Sequence, residues 1–191
     1  VPGVLPSLTK ASLEVVIERS AGGPAGFPDG AYVEKGARIA TSRDQLFADA
    51  EIIVQVRCPG AAKDTGHTDL DFLRSSQTII GFSEPLGAPS MAYSIAELGV
   101  RSFAMELIPR ITRAQSMDVL SSMSTIAGYR SVLLAAEASP RMFPLMMTAA
   151  GTLTATRVFV LGAGVAGLQA IATARRLGAI VQAYDVRPAV R

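Results

Sequence analysis

Apolar residues along this 191-residue chain fall in short runs separated by Gly, Pro and charged clusters. The runs alternate between two periods. Residues 13–17, 37–40, 52–56, 78–82 and 100–105 are compact and rich in β-branched side chains, which predicts strands. Between them lie helix-like pieces. Residues 32–35 form one, and Ser42-Arg-Asp-Gln-Leu-Phe opens another with a serine cap. Residues 60–71 read as a polar loop running into a short helix, and residues 91–98 as a helix stopped by Gly99. Residues 20–30 are turn-rich. Strands separated by short helices predict a parallel α/β sheet.

The pattern changes after residue 105. Residues 115–138 carry apolar positions at Met117, Leu120, Ile126, Val132 and Leu133, which predicts one long helix. Its small residues (Ser121, Ser122, Ser124, Ala127, Gly128) would permit close packing or contact with a cofactor. Pro140 and Pro144 then punctuate the chain before a second βαβ pattern: strand 158–161, helix 165–177 ended by Gly178, strand 180–184. The fold expected is α/β with two Rossmann-like domains of parallel sheets. An N-terminal domain covers 1–125. Residues 126–191 hold the bridging helix and the start of a second, truncated domain.

Composition narrows the class without deciding the function. The chain is 49% hydrophobic and 18% charged, with net charge +2 and no basic, aromatic-interleaved face, which argues against nucleic acid. No run reaches the length of a membrane span. The single cysteine, Cys58, excludes an internal disulfide and reads as a strand-end residue rather than a nucleophile. Met142, Met146 and Met147 read as core filler. No metal site is expected. The chain opens at Val1 without an initiating Met and ends soon after its second Rossmann strand, so it is expected to be a piece of a longer protein.

The chemistry concentrates in two segments. In the first, Leu161-Gly162-Ala-Gly164-Val165-Ala166-Gly167 joins an apolar strand to a helix, and Asp185 closes the following strand about 20 residues on. Gly162 allows the tight turn, Gly164 lets a pyrophosphate approach the backbone, and Gly167 lets the helix pack on the strand. The helix N-terminus favours an anion there. An acid at Asp185 accepts ribose hydroxyls and repels a 2′-phosphate, so the motif predicts NAD(H) over NADP(H), with Arg187 weakening the preference slightly. A glycine-rich strand–helix turn that binds nothing is the plain alternative.

The second segment is Pro109-Arg110-Ile111-Thr112-Arg113-Ala-Gln115-Ser116-Met117-Asp118-Val-Leu-Ser121, which joins a strand end to a helix start. Strand ends are where open α/β sheets bind ligands. On a helix that starts at 115, Gln115, Asp118 and Ser121 would share one face. Asp118 has an equally simple reading as a dipole-complementing residue at a helix start.

With Ile126-Ala-Gly-Tyr-Arg130, Thr148-Ala-Ala-Gly151 and the run from Gly162 to Arg187, this segment resembles the alanine dehydrogenase/transhydrogenase family over nearly the whole chain. The likeness is to the NAD(H)-binding component of its proton-translocating transhydrogenases. It implies direct hydride transfer between NAD(H) on this chain and NADP(H) on a partner component. It also implies a homodimer and membrane-embedded partners at the cytoplasmic face of a bacterial inner membrane. Carried over by residue, Arg110, Ile111, Thr112, Gln115, Ser116, Met117, Asp118 and Ser121 would lie at the nicotinamide end, with Arg110, Gln115 and Asp118 in the catalytic positions. Val165, Ala166 and Gly167 would meet the pyrophosphate, and Asp185, Val186 and Arg187 the adenosine ribose.

Two departures stand out. The family opens with a strand and a Lys/Arg-Glu turn that this chain lacks, and Pro6 sits where a first helix is expected. Alanine dehydrogenase chemistry needs a histidine that titrates near neutrality and a cationic anchor for the substrate carboxylate. In the alanine dehydrogenases that this chain resembles, they come after the strand matching 78–82 and from the strand matching 52–56. Those places read Ser83-Glu84-Pro85 and Gln55-Val56-Arg57, and the only histidine, His67, is expected to be solvated in the polar loop. A saccharopine dehydrogenase-like enzyme and a non-catalytic NAD-binding module remain as further alternatives.

Overall fold

Residues 1–62 and 66–188 are described in the computed structural model of the chain, the side chains of residues 66 and 67 excepted. They divide into two units, Val1–Ile108 and Pro109–Arg191. The first begins with α1 (Leu5–Lys10), where Pro6 stands in the first turn and no helical hydrogen bond is lost to it. This removes the difficulty the proline posed. The short strands β1 (Val16–Ile17) and β2 (Arg38–Ile39) pair in parallel on either side of α2 (Asp29–Val33), which starts earlier than residues 32–35 suggested. Leu5, Tyr32 and Ala37 form a small core under them.

The larger core of this unit lies against a parallel sheet. Strands β3 (Ile52–Arg57), β4 (Thr78–Phe82) and β5 (Arg101–Ala104) pair in that order. Helices α3 (Arg43–Asp49), α4 (Gly66–Leu70) and α5 (Pro89–Glu97) alternate with them along the chain. Ser42 caps α3 by accepting the Gln45 backbone N–H, as its sequence predicts. Phe47, Ile53, Cys58, Leu73, Ile79, Ile95 and Val100 interlock on one face. The apolar run 52–56 reads as a buried strand, yet in β3 Val54 and Val56 are exposed and only Ile53 is enclosed. Strand alternation explains it: the core of this unit takes one face only, so every second residue points away.

In the second unit, the long helix α6 (Val119–Ala138) starts at Val119 rather than residue 115. Residues Thr112–Met117 form a six-residue 3₁₀ turn before it. Strands β6 (Met146–Thr148) and β7 (Gly151–Leu153) form an antiparallel hairpin that the hydrophobic pattern does not announce. Met146 and Met147 of this hairpin, and Met142 just before it, are exposed, so they are not core filler. Strands β8 (Arg157–Leu161) and β9 (Ile180–Tyr184) pair in parallel around α7 (Val165–Arg176). Phe159 and Leu161 of β8 are exposed, again because one face of the pair meets the core of Val132, Phe143 and Ala174. Helices α6 and α7 approach closely at Gly128. A Cβ there would overlap the Ala166 carbonyl, so this small residue of α6 does serve close packing.

No helix among the described residues is long and apolar enough to cross a membrane.

Candidate functional site

The glycine turn has the geometry its spacing predicts. Gly162 adopts φ +90°, which a side chain would strain. Gly164 is the N-cap of α7 in an extended conformation, and a Cβ on it would face open space, with only Arg187 Nη2 at 3.9 Å. Gly167 is the opposite case: a Cβ would overlap the Gly162 carbonyl oxygen, so the first turn of α7 lies hard against the end of β8. The result is an open-fronted cradle of backbone N–H groups at a helix N-terminus, a fit for a pyrophosphate.

Asp185 follows β9 beside this cradle and is almost fully buried. Its carboxylate accepts the backbone N–H of Ala163 (2.7 Å) and of Arg187 (2.8 Å), and the Arg187 guanidinium through Nε and Nη2 (both 2.9 Å). The Arg187 guanidinium, then the two backbone donors, hold the Asp185 carboxyl well below the usual carboxylate range. The Ala163 bond ties the glycine turn directly to the end of β9.

The second cluster sits at the start of α6. Asp118 is its N-cap and accepts the Ser121 backbone N–H (2.9 Å) and the Ser121 hydroxyl (2.7 Å). Arg110 Nη2 donates to Ser121 Oγ at 2.8 Å, and its Nε lies 3.5 Å from Asp118. The two Ser121 donors first, and Arg110 after them, lower the Asp118 pKa. Because α6 starts at Val119, Gln115 does not share a helical face with Asp118 and Ser121. It is exposed on the 3₁₀ turn with Ile111, Thr112, Ser116 and Met117, and among the described residues no side-chain bond joins it to the cluster. Asp118 therefore does cap a helix, and it also presents a carboxylate and a hydroxyl side by side.

The two clusters share one pair of packed helices. Gly128 meets Ala166 in the first turn of α7. Ser121 lies seven residues before Gly128, about 10 Å along the helix at 1.5 Å per residue. An extended ligand seated on the glycine turn can thus run toward the start of α6.

The first unit holds a polar network that no sequence pattern revealed. Asp69, 1% exposed, accepts both forks of Arg43 (2.9 and 2.8 Å) and the Gln55 amide (2.8 Å). Arg43 also reaches Glu18 at 2.6 Å and stacks over Phe47 at 5.2 Å. Hydrogen bonding to Asp69 keeps its guanidinium firmly protonated. Nearby, Glu106 accepts the backbone N–H groups of Ser83 and Glu84.

Cys58 is fully enclosed just past the end of β3, and burial pushes its thiol up to about 11. With the thiol so far from ionised, alkylation by iodoacetamide at pH 8 in the native protein is expected to be slower than in denaturant by about a hundredfold or more. Equal rates in the two conditions would contradict this burial. The side chain of His67 lies outside the described residues.

Two parallel-stranded units, the second with a glycine cradle closing a βαβ unit, define a Rossmann-like α/β protein. Residues 1–127 match the family model described as "Alanine dehydrogenase/PNT, N-terminal domain" and residues 131–191 the corresponding C-terminal domain. The chain belongs to the alanine dehydrogenase/PNT family. It is 43% identical over its whole length to an NAD(P) transhydrogenase subunit alpha protein of Rickettsia prowazekii, covering 49% of that protein. A solved transhydrogenase from Sinorhizobium meliloti aligns with a TM-score of 0.91 at 46% identity, over 100% of this chain and 53% of that one. A solved L-alanine dehydrogenase aligns at 0.80 and 26% identity, over 98% of this chain and 50% of that one. The chain thus spans about half the length of these relatives.

Proposed function

We propose that this chain belongs to the NAD(H)-binding component of a proton-translocating NAD(P) transhydrogenase, which passes hydride directly between NAD(H) held here and NADP(H) held by a partner component. The observation that carries this reading is the open-fronted Gly162–Gly167 cradle on the same helix pair as the Arg110–Asp118–Ser121 cluster. The nicotinamide supplies or takes up the hydride. Direct transfer needs no acid–base pair, only alignment of the two rings and exclusion of water.

This chain's residues divide that work. The N–H groups at Val165, Ala166 and Gly167 hold the pyrophosphate, while Asp185, Val186 and Arg187 face the adenosine ribose. Asp118 and Ser121 offer an acceptor and a donor to a carboxamide, which fixes the ring face, and Arg110 steadies both. Gln115, exposed on the 3₁₀ turn with Ile111, Thr112, Ser116 and Met117, reaches toward the second nucleotide. The component acts as a homodimer at the cytoplasmic face of the bacterial inner membrane, docked on membrane-embedded partners. Its domain boundary falls near residue 125, within α6. Alanine chemistry is disfavoured because the ends of β3 and β4 carry Gln55, Arg57 and Ser83 rather than a lysine and a histidine.

The test uses the complete protein with its NADP(H)-binding partner and follows hydride transfer from NADPH to a spectrally distinct NAD analogue. Pyruvate, ammonia and NADH serve as the parallel reaction. Transfer between nucleotides with no turnover of pyruvate is expected; the reverse pattern identifies an alanine dehydrogenase, and silence in both a binding module. Gln115→Asn is expected to slow transfer by about tenfold to a hundredfold through misalignment, with NADH affinity within about twofold. A large loss of affinity would place Gln115 on the bound cofactor instead.

A further inference from the structure

The end of α7 far from the glycine turn borders a groove that the nucleotide chemistry leaves unused. Its volume is about 650 Å³, and it lies between the last turns of α6 and α7 and the segment that follows α6. Ala136, Met142, Phe143, Pro144 and Leu177 give it an apolar lining. The segment is held from several sides. Ser139 Oγ accepts the Arg141 backbone N–H at 3.1 Å, and Thr156 donates its hydroxyl to the Met142 carbonyl (2.8 Å) and its N–H to the Phe143 carbonyl (3.1 Å). Phe143 is anchored in the core with Val132 and Ala174. Pro144 rests on Gly178, where a Cβ would stand 2.7 Å from the Pro144 Cβ. A wall built this way is formed before a ligand arrives, so little ordering opposes binding.

On this fixed segment the Met142 side chain is 58% exposed, beside Arg141. Arg141 and Arg176 both line the groove, against one carboxylate, Glu137. Among the described residues no ion pair or side-chain hydrogen bond engages the guanidinium of either arginine. Arg176 complements the C-terminal dipole of α7, a role it shares with Arg175. Arg141 lies outside any helix and has no such task.

We propose that this groove is a second binding site, separate from the glycine turn, for a small organic anion with a flat aromatic body. The rings lie against Met142 and Pro144, where the thioether sulfur favours an aromatic edge. Arg141 and Arg176 take the anionic group, since a guanidinium can fork onto a carboxylate or sulfonate and also stack on a ring. The volume falls within the range of about 300–1,000 Å³ usual for small-molecule sites. Helix α7 has 12 residues, so its two ends lie about 18 Å apart at 1.5 Å per residue, and ligands at the two places do not touch. Neither wall of the groove depends on what the glycine turn binds.

The experiment is a fluorescence titration of the complete protein with 8-anilinonaphthalene-1-sulfonate, with and without saturating NAD⁺. N-phenyl-1-naphthylamine, which has the same rings and no sulfonate, runs in parallel. Saturable binding of the sulfonate is expected, unchanged by NAD⁺, with the neutral dye weaker by about tenfold or more, the scale of one hydrogen bond to a charged group. Arg141→Ala and Arg176→Ala should each weaken the sulfonate by about tenfold and the neutral dye by less than about twofold. Arg175→Ala removes an exposed arginine of the same turn that does not line the groove, and should leave the sulfonate within about twofold. An affinity untouched by Arg141→Ala and Arg176→Ala, or equal for the two dyes, overturns the proposal. So does an equal loss in Arg175→Ala, which means general attraction to a basic surface. Displacement by NAD⁺ also overturns it, by placing the dye on the glycine turn, and leaves the nucleotide reading standing.

Discussion

Gly167→Ala is expected to destabilise the unit containing α7 by about 3 kcal/mol and to abolish nucleotide binding. Helix propensity alone gives the opposite sign, because alanine is better than glycine in a helix by about 1 kcal/mol. The clash wins because its partner cannot move. The added Cβ overlaps the Gly162 carbonyl oxygen and stands 2.8 Å from its carbon, and both are backbone atoms of the turn. Helix α7 would have to lift off β8, taking its first-turn N–H groups out of the cradle. Denaturant unfolding of the complete protein checks this, and stability equal to or above the parent would show that the helix is free to shift. Gly164→Ala separates the two roles. Its Cβ has room, and an alanine N-cap is worse than glycine by roughly 1 kcal/mol or less. Folding should persist in that variant while pyrophosphate binding weakens.

Asp69→Ala is expected to cost the first unit about 3 kcal/mol, the lower end of what removing one partner from a buried ion pair costs. The removal strands Arg43 and the Gln55 amide, both of which lose bonds of 2.8–2.9 Å. The lower end applies because the Arg43 side chain is 34% exposed and keeps Glu18 as a second partner. The stranded-charge account also fixes what a double variant does. Arg43→Met with Asp69→Leu should recover most of the loss, since no charge is then left unpaired at the buried position. If the double variant is as unstable as Asp69→Ala, the network is held for its geometry, and the stranded charge is not the cause. Thermal and urea unfolding of the three proteins decide between these.

Both variants bear on what could be read from sequence. The Gly162, Gly164 and Gly167 spacing, followed by Asp185, announced a cradle because each glycine answers a local demand: a positive φ, an open front, a close approach. Such demands are met within a few residues, so they leave a spacing behind. Asp69 left none. It stands in a polar stretch that reads as solvated, and only the packing of α4 places it against Arg43, 26 residues away. The start of α6 departs from its sequence pattern for a related reason. Thr112–Met117 is also helical in period, and what ends it as a 3₁₀ turn is Asp118 taking the cap position and bonding Ser121. Strand burial on one face, the exposed methionines and the β6–β7 hairpin were likewise set by what packs on each element, which a hydrophobic pattern does not record.

By itself, then, the sequence determined the alternation of parallel strands and helices, the glycine cradle and the residues gathered before α6, because period, turn chemistry and close approach act over short distances. Tertiary structure decided which of those residues touch. It joined Arg110 to Ser121, left Gln115 outside that cluster, and closed Arg187 on Asp185. A carboxylate has few acceptor sites, and which donors fill them depends on how the chain brings its neighbours back, not on the spacing that puts an acid at the end of a strand.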